Sequence, residues 1–236
     1  MSSQGIIYLV FGKEYDKLTA ATARYSRKYT NLPMCVFTNL EVRNSVWSEV
    51  SDVQFIYFGM PDEENRRIKV SLIKYTPFEE SLFMDSDAVI QKFGFECLFD
   101  YLNDFDIACQ YFSVLKESER KKPFIKKTYA KLAGLLNEKF PIELFGEAAL
   151  LFKKSDKGFQ FFNLWYKYWE MMGCGRDMPA FSFAVKHLSN LVKVFKGEIK
   201  FCTNVLNKNY FIQHKGFKGF EKKFGLPNYV DWNPKL

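Results

Sequence analysis

The sequence predicts an α/β fold on a mostly parallel sheet, and two observations predict it. Short apolar runs alternate with amphipathic segments through the amino-terminal half, and the fourth of those runs ends in a pair of carboxylates. Such alternation builds parallel strands joined by right-handed crossovers, whose ligands gather at the carboxyl ends of the strands. The first run, Gly5 to Gly12, is continuously apolar and closed by glycine, as a strand buried on both faces must be. Tyr15, Leu18, Ala21, Tyr25 and Tyr29 then recur at three- or four-residue spacing, which predicts a helix over 13–29. Strands follow at 33–38 and 53–58, and a helix at 67–75 must stop before Pro77. The fourth strand is 81–84. Beyond it, 96–102 reads as helix and 107–111 as strand, after which the charged stretch 116–127 breaks the rhythm as a surface excursion. An apolar strand at 143–152, helices at 157–172 and 178–188, and a last strand at 210–213 complete the pattern. With no repeat or linker, one domain over 1–236 is expected, divided into halves at 1–105 and 106–236.

A hydrophobic content of 47%, including 26 Phe spread along the chain, allows a large core and excludes a disordered or fibrous protein. The formal charge of +7 attracts nucleic acid, anionic membrane or phosphorylated small molecules without choosing among them. Cys35, Cys97, Cys109, Cys174 and Cys202 show no C-x-x-C spacing and mostly sit in apolar stretches, so they read as reduced core thiols. No basic-then-apolar leader opens the sequence and no apolar run is long enough to cross a bilayer, so a cytoplasmic location is expected.

The segment Ser81-Leu-Phe-Met-Asp85-Ser-Asp87 carries the strongest chemical signal. Two acids separated by one small residue, Ser86, suit a hard cation whose shell is completed by diphosphate oxygens. One acid can bind the metal directly while the other reaches it through water or contacts a ribose hydroxyl.

The stretch from Lys69 through Pro77 to Asp87 closely resembles the D-x-D region of GT-A glycosyltransferases, especially the glycogenin-like and bacterial lipopolysaccharide galactosyltransferase group. Gly146-Glu-Ala-Ala-Leu-Leu-Phe-Lys-Lys154 resembles the second-half strand of that group, Arg176-Asp177-Met-Pro-Ala-Phe181 its R-D-Q-P-a-f segment, and His214-Lys-Gly216-Phe-Lys218 its carboxyl-terminal H-x-x-G-x-x-K segment. Departures occur at Met178, at Gly146-Glu147-Ala148, and between His214 and Gly216, where one residue fewer intervenes. The resemblance implies a GT-A fold with a Rossmann-like, mostly parallel sheet. It also implies a nucleotide-sugar donor, with uridine favoured, Mn2+ or Mg2+ as the cation, and a retaining outcome. Asp85 and Asp87 are then metal ligands and catalytic, His214 a third ligand, and Lys69 and Lys218 phosphate contacts. Ser86 and Gly216 border the donor.

Phe11, Gly12 and Tyr15 match where the group holds base and ribose, although a core aromatic and a turn glycine would read the same way. Glu147 and Asp177 are expected on the sugar and acceptor side. Asp177 also suits a helix N-cap, and Glu147 an exposed strand-edge acid. The acceptor is expected to be a glycan, lipid-linked or protein hydroxyl, with peripheral membrane contact allowed. Two alternatives remain open. A sugar-1-phosphate nucleotidyltransferase shares the sheet type but normally begins with a Gly-rich basic loop, which Gly5 to Lys13 lacks. A nucleic-acid-binding protein is suggested by Lys215, Lys218, Lys222 and Lys223 among Phe217, Phe220 and Phe224.

Overall fold

The structure, a computed structural model, describes residues 3–196 together with the backbone of 202–203 and 211–213. In chain order the amino-terminal half contains β1 (Gln4–Val10), α1 (Lys13–Ser26), β2 (Met34–Thr38), β3 (Val53–Tyr57), α2 (Asn65–Lys69), α3 (Leu72–Tyr75), β4 (Glu80–Met84) and β5 (Ala88–Ile90). The second half adds β6 (Ile107–Leu115), α4 (Pro123–Ile125), α5 (Lys131–Leu135), β7 (Ile142–Lys153), α6 (Asp156–Met171), α7 (Met178–His187), β8 (Val192–Phe195), β9 (Cys202–Thr203) and β10 (Phe211–Gln213).

Seven strands form the central sheet in the order β3-β2-β1-β4-β7-β6-β8. Every strand but β7 runs the same way, because β7 pairs antiparallel with both β4 and β6. Strand β1 shows why the sheet is covered on both sides. Ile7 joins one apolar cluster with α6 and α7, while Ile6, Tyr8 and Val10 join another under α1. A small second sheet, β5-β10-β9, forms just past the β4 end, with β10 antiparallel to β5.

The helix expected over 67–75 is two short helices, α2 and α3, separated at Val70 and Ser71. Lys69 thereby sits at the end of its own helix. The stretch 116–127 is not merely a surface excursion, since α4, a π-helical turn at Lys126–Ala130 and α5 run on through residue 135. Ile125, Tyr129, Leu132 and Ala133 anchor that run in the core. Residues 95–103 are 3-10 rather than α-helical. Cys35 and Cys109 are buried free thiols as expected, whereas Cys97 and Cys174 are exposed, and the side chain of Cys202 lies outside the described residues.

Helix α6 docks closely because Gly158 carries no side chain. A Cβ there would lie 2.2 Å from the Lys153 carbonyl oxygen and 2.9 Å from Ile73 Cδ1. Gly158→Ala is therefore expected to destabilise the protein by about 1 to 3 kcal/mol, as overpacking does. Urea unfolding checks this, and an unchanged midpoint would mean that α6 has room to spare.

Candidate active site

Four elements converge on one ammonium group. Lys69 Nζ, from the end of α2, lies 3.0 Å from Asp85 Oδ1 after β4, 3.1 Å from Asp177 Oδ2 before α7, and 3.6 Å from Glu147 Oε1 on β7. Lys69 is only 8% exposed. Of the three contacts only that to Asp85 has hydrogen-bond geometry, and Asp177 Oδ2 is buried without a hydrogen-bond partner among the described residues. Arg66, one turn earlier on α2, approaches the other Asp177 oxygen at 3.7 Å and keeps about half of its side chain exposed. The i, i+3 spacing of Arg66 and Lys69 was the available signal for Arg66, which sequence reasoning missed.

The backbone explains how Glu147 comes to face Asp85. The β6–β7 register slips where Ala108 pairs with Leu151 but Gln110 pairs with Gly146, so β7 bulges through Glu147. A bulge re-aims side chains. Ala148, inside it, accepts a 2.8 Å hydrogen bond from the Asp85 amide, which ties the two acids' backbones together. Glu147 is thus buried on an interior strand, not exposed on an edge. Asp177 makes no side-chain cap hydrogen bond to α7, and its carboxylate turns to Lys69 and Arg66 instead. Its capping reading fails because the buried ammonium is the stronger partner.

Ser86 fixes the turn between the two acids. Its hydroxyl donates to the Leu9 carbonyl at 3.2 Å, while its own carbonyl accepts from Thr22 at 3.2 Å. A cavity of about 440 Å³ opens above, lined by Leu9, Phe11, Tyr15, Asn65, Arg66, Lys69, Asp85, Ser86, Asp87, Glu147 and Asp177 among others. Phe11 is mostly core, packed in an aromatic group with Phe58, whereas the Tyr15 ring is 50% exposed. Gly12 adopts φ 88, and a Cβ there would lie 2.5 Å from Asp62 Oδ2. Asn39 completes that corner by accepting from the Gly12 amide at 3.1 Å and donating to Asp62 Oδ1 at 2.7 Å. Sequence reasoning missed Asn39 and Asp62, which no motif marks.

Two further basic residues lie outside the cavity and have partners of their own. Lys74 lies over the Tyr166 ring, outside the cavity. His187 is held by the Tyr168 hydroxyl at 2.6 Å and by Glu138 at 2.7 Å. His214, Gly216 and Lys218 lie outside the described residues.

Three acids around one ammonium cannot all ionise freely. Burial raises Glu147 to about 8, with the charges of Asp177 and Asp85 adding and Lys69 opposing. Burial likewise raises Asp85, and its neighbour Asp87 pushes the same way against Lys69, although the Asp85 side chain keeps 28% of its surface open to the cavity. Asp177 moves down, because Lys69 and Arg66 overcome the burial that works against its charge. Burial also works against the Lys69 charge, yet Asp177, Asp85 and Glu147 together raise Lys69 well above the ordinary lysine range. The cluster thus favours charged Lys69 and Asp177 and a protonated Glu147.

That proton has a measurable consequence. Glu147 binds it more tightly folded than unfolded, so its contribution to stability is present at low pH and is lost as pH rises from the ordinary carboxylate range through about 8. Glu147→Gln is expected to flatten the decline of melting temperature across that window. An equally steep decline in the variant would put the proton on another group.

No known protein family and no curated protein matches the chain by sequence. By structure it is similar to the galactosyltransferase LgtC solved with donor and acceptor sugar analogues, with a TM-score of 0.54, 12% identity, and coverage of 90% of this chain and 87% of that one. It is also similar to the bifunctional glycosyltransferase WbbM, with a TM-score of 0.58, 11% identity, and coverage of 92% of this chain but 46% of that one. Mouse xyloside xylosyltransferase 1 matches with a TM-score of 0.54 at 11% identity, over 82% of this chain and 85% of that one. At such identities the likeness is one of fold. The chain has the GT-A fold of these glycosyltransferases, with its acidic pair at the carboxyl end of a central strand.

Proposed function

We propose that the protein is a glycosyltransferase that moves a sugar from a nucleoside-diphosphate donor, with uridine as the expected base, to a hydroxyl acceptor, assisted by Mn2+ or Mg2+. The observation that carries this reading is the cavity at the end of β4, where Asp85 and Asp87 meet Lys69, Glu147 and Asp177 within a GT-A fold. Similarity to galactosyl- and xylosyltransferases supports it.

The donor set fits a hard cation. Four carboxylates line the cavity against the cations Lys69 and Arg66, and burial already raises Asp85 and Glu147. A diphosphate entering such a surplus of acid is repelled unless a cation accompanies it. Among the described residues no group of three or more His, Cys, Asp and Glu forms a ready metal cluster, so Asp85 and Asp87 need a further ligand. His214 is the proposed one. That role rests on the resemblance of its segment. When bound, the cation supplies charge neutralisation of the departing diphosphate.

The chain's own residues do the rest. Gly12 lets the backbone approach the nucleoside, with the exposed Tyr15 ring available to stack on the base and Phe11 as floor. Because the Lys69 ammonium is committed to three carboxylates, Lys69 serves the donor by positioning them, and the half-exposed Arg66 takes the phosphate contact. Gly216 and Lys218 are proposed to close over the diphosphate, on the resemblance of their segment. Glu147 and Asp177 hold the sugar and acceptor hydroxyls.

Retention is the proposed outcome. Inversion is a second reading with one observation in its favour, since Glu147 is raised to about 8, the range a general base requires. The anomeric configuration of the product, read by proton NMR, separates the two. An inverted product lost in Glu147→Gln would establish the second.

A donor that binds only the folded state stabilises it by about 2.7 kcal/mol at roughly a hundredfold excess over its Kd. The matching nucleotide sugar with Mn2+ is therefore expected to raise the melting temperature by several degrees, and Asp85→Asn or Asp87→Asn to abolish that rise and turnover together. Wild-type turnover in either variant at limiting metal would remove the metal-assisted reading.

A further inference from the structure

The helical run from Pro123 to Leu135 buries one face and leaves the other largely exposed, with Arg176 over the Phe124 ring and a Lys131 hydrogen bond to the Met172 carbonyl as its contacts to the rest of the chain. Ile125, Tyr129, Leu132 and Ala133 enter the core, while Phe124, Lys126, Lys127, Lys131 and Leu135 are exposed. Phe124 keeps 42% of its surface open and Leu135 keeps 53%, which is unusual beside so many lysines. Between residues 116 and 131 the sequence places seven Lys or Arg against two Glu, a surplus of five in a chain whose formal net charge is +7. Both acids are already answered locally, Glu117 by Arg120 and Glu119 by Lys122. Lys121, Lys126 and Lys127 form no ion pair among the described residues. Lys121, Lys126 and Lys131, with Arg120, line a recess of about 930 Å³ in which Glu117 is the only acid among the described residues.

We infer that this face docks the protein on an anionic lipid bilayer, with the lysines and Arg120 meeting headgroup phosphates and Phe124 and Leu135 entering the boundary below them. Cations interleaved with exposed apolar side chains on one helical face are what an interfacial segment needs, whereas a face that is only solvated gains nothing from Phe124 and Leu135. The surface also adjoins the candidate active site. The Arg176 guanidinium stacks 5.0 Å from the centre of the Phe124 ring, and Arg176 immediately precedes Asp177. On the transferase reading, which this last step rests on, docking turns the acceptor side of the cavity toward the membrane and selects a lipid-linked acceptor. The docking itself does not require that reading.

Cosedimentation of the full chain with phosphatidylcholine vesicles, with and without phosphatidylglycerol, tests the surface. Binding is expected only to the anionic vesicles, weakening as salt rises. Lys121→Glu/Lys126→Glu/Lys127→Glu should reduce it at least about tenfold, and Phe124→Ser should reduce it with less effect on its salt dependence. Hydrolysis of a soluble nucleotide sugar by these variants should match wild type. Equal binding to neutral vesicles, or undiminished binding by the triple variant, overturns the proposal. So does tighter binding to a single-stranded oligonucleotide that the triple variant loses, which would assign the face to nucleic acid. Vesicle binding without any donor hydrolysis would keep the docking surface and remove the transferase.

Discussion

One buried ammonium holds the candidate site together. Asp85, Glu147 and Asp177 arrive from a strand end, a bulge and a helix start, and without Lys69 each would face the other two across a few ångströms of protein. Taking a carboxylate out of water costs several kcal/mol unless a counter-charge and hydrogen bonds repay it, and three such groups in one recess cannot be accommodated by neutralising one alone. The solution in this chain is asymmetric. Lys69 and Arg66 favour the charged form of Asp177, while burial pushes Asp85 and Glu147 upward, toward their neutral forms. The raised acids mark the recess as one where further positive charge is favoured.

The parts of this arrangement that sequence could disclose are those that rest on local pattern. An apolar strand ending in Asp85 and Asp87 is visible because both the strand and the acids are contiguous, and Ser86 lies between them where a small side chain fits the turn. Lys69 and Asp177 were found through resemblance, but their pairing was not, since nothing in the spacing of residues 69 and 177 tells which face each presents. Glu147 is the clearest case. Its burial depends on a register slip between β6 and β7, and register is a property of two strands at once. The break of the helix at Val70 and Ser71 was hidden for a similar reason. An apolar period continues through it, and only packing under the sheet fixes where the turns part. The charged stretch after Lys116 misled in the opposite sense, because its lysines dominate the composition while its buried positions, Ile125, Tyr129, Leu132 and Ala133, are few and spread over three turns.

The same slip serves both chemistry and architecture. Strand β7 is the seam between the halves, bonded on one side to β4 and on the other to β6, and its bulge falls where Asp85 leaves the sheet. The loop geometry that aims Glu147 is therefore the geometry that aligns the two halves. The corner formed by Gly12, Asn39 and Asp62 is independent of it, being built from β1, β2 and the segment before α2. The two sides of the cavity thus rest on separate supports, one built on β1 and β2 and the other on β7.

Strand order carries a consequence for how the molecule assembles. Strand β6 precedes β7 in the chain, yet β7 lies between β6 and β4 in the sheet. As the polypeptide is made, β1 to β4 can associate at once, but β6 has no partner to join until β7 exists to bridge the gap. Closure of that gap is a long-range event that costs loop entropy before any contact rewards it, so it is where a folding barrier belongs. Until then Lys69 and Asp85 stand without their two companions. The cluster of charges is therefore complete only once β7 and the start of α7 have both joined the first four strands.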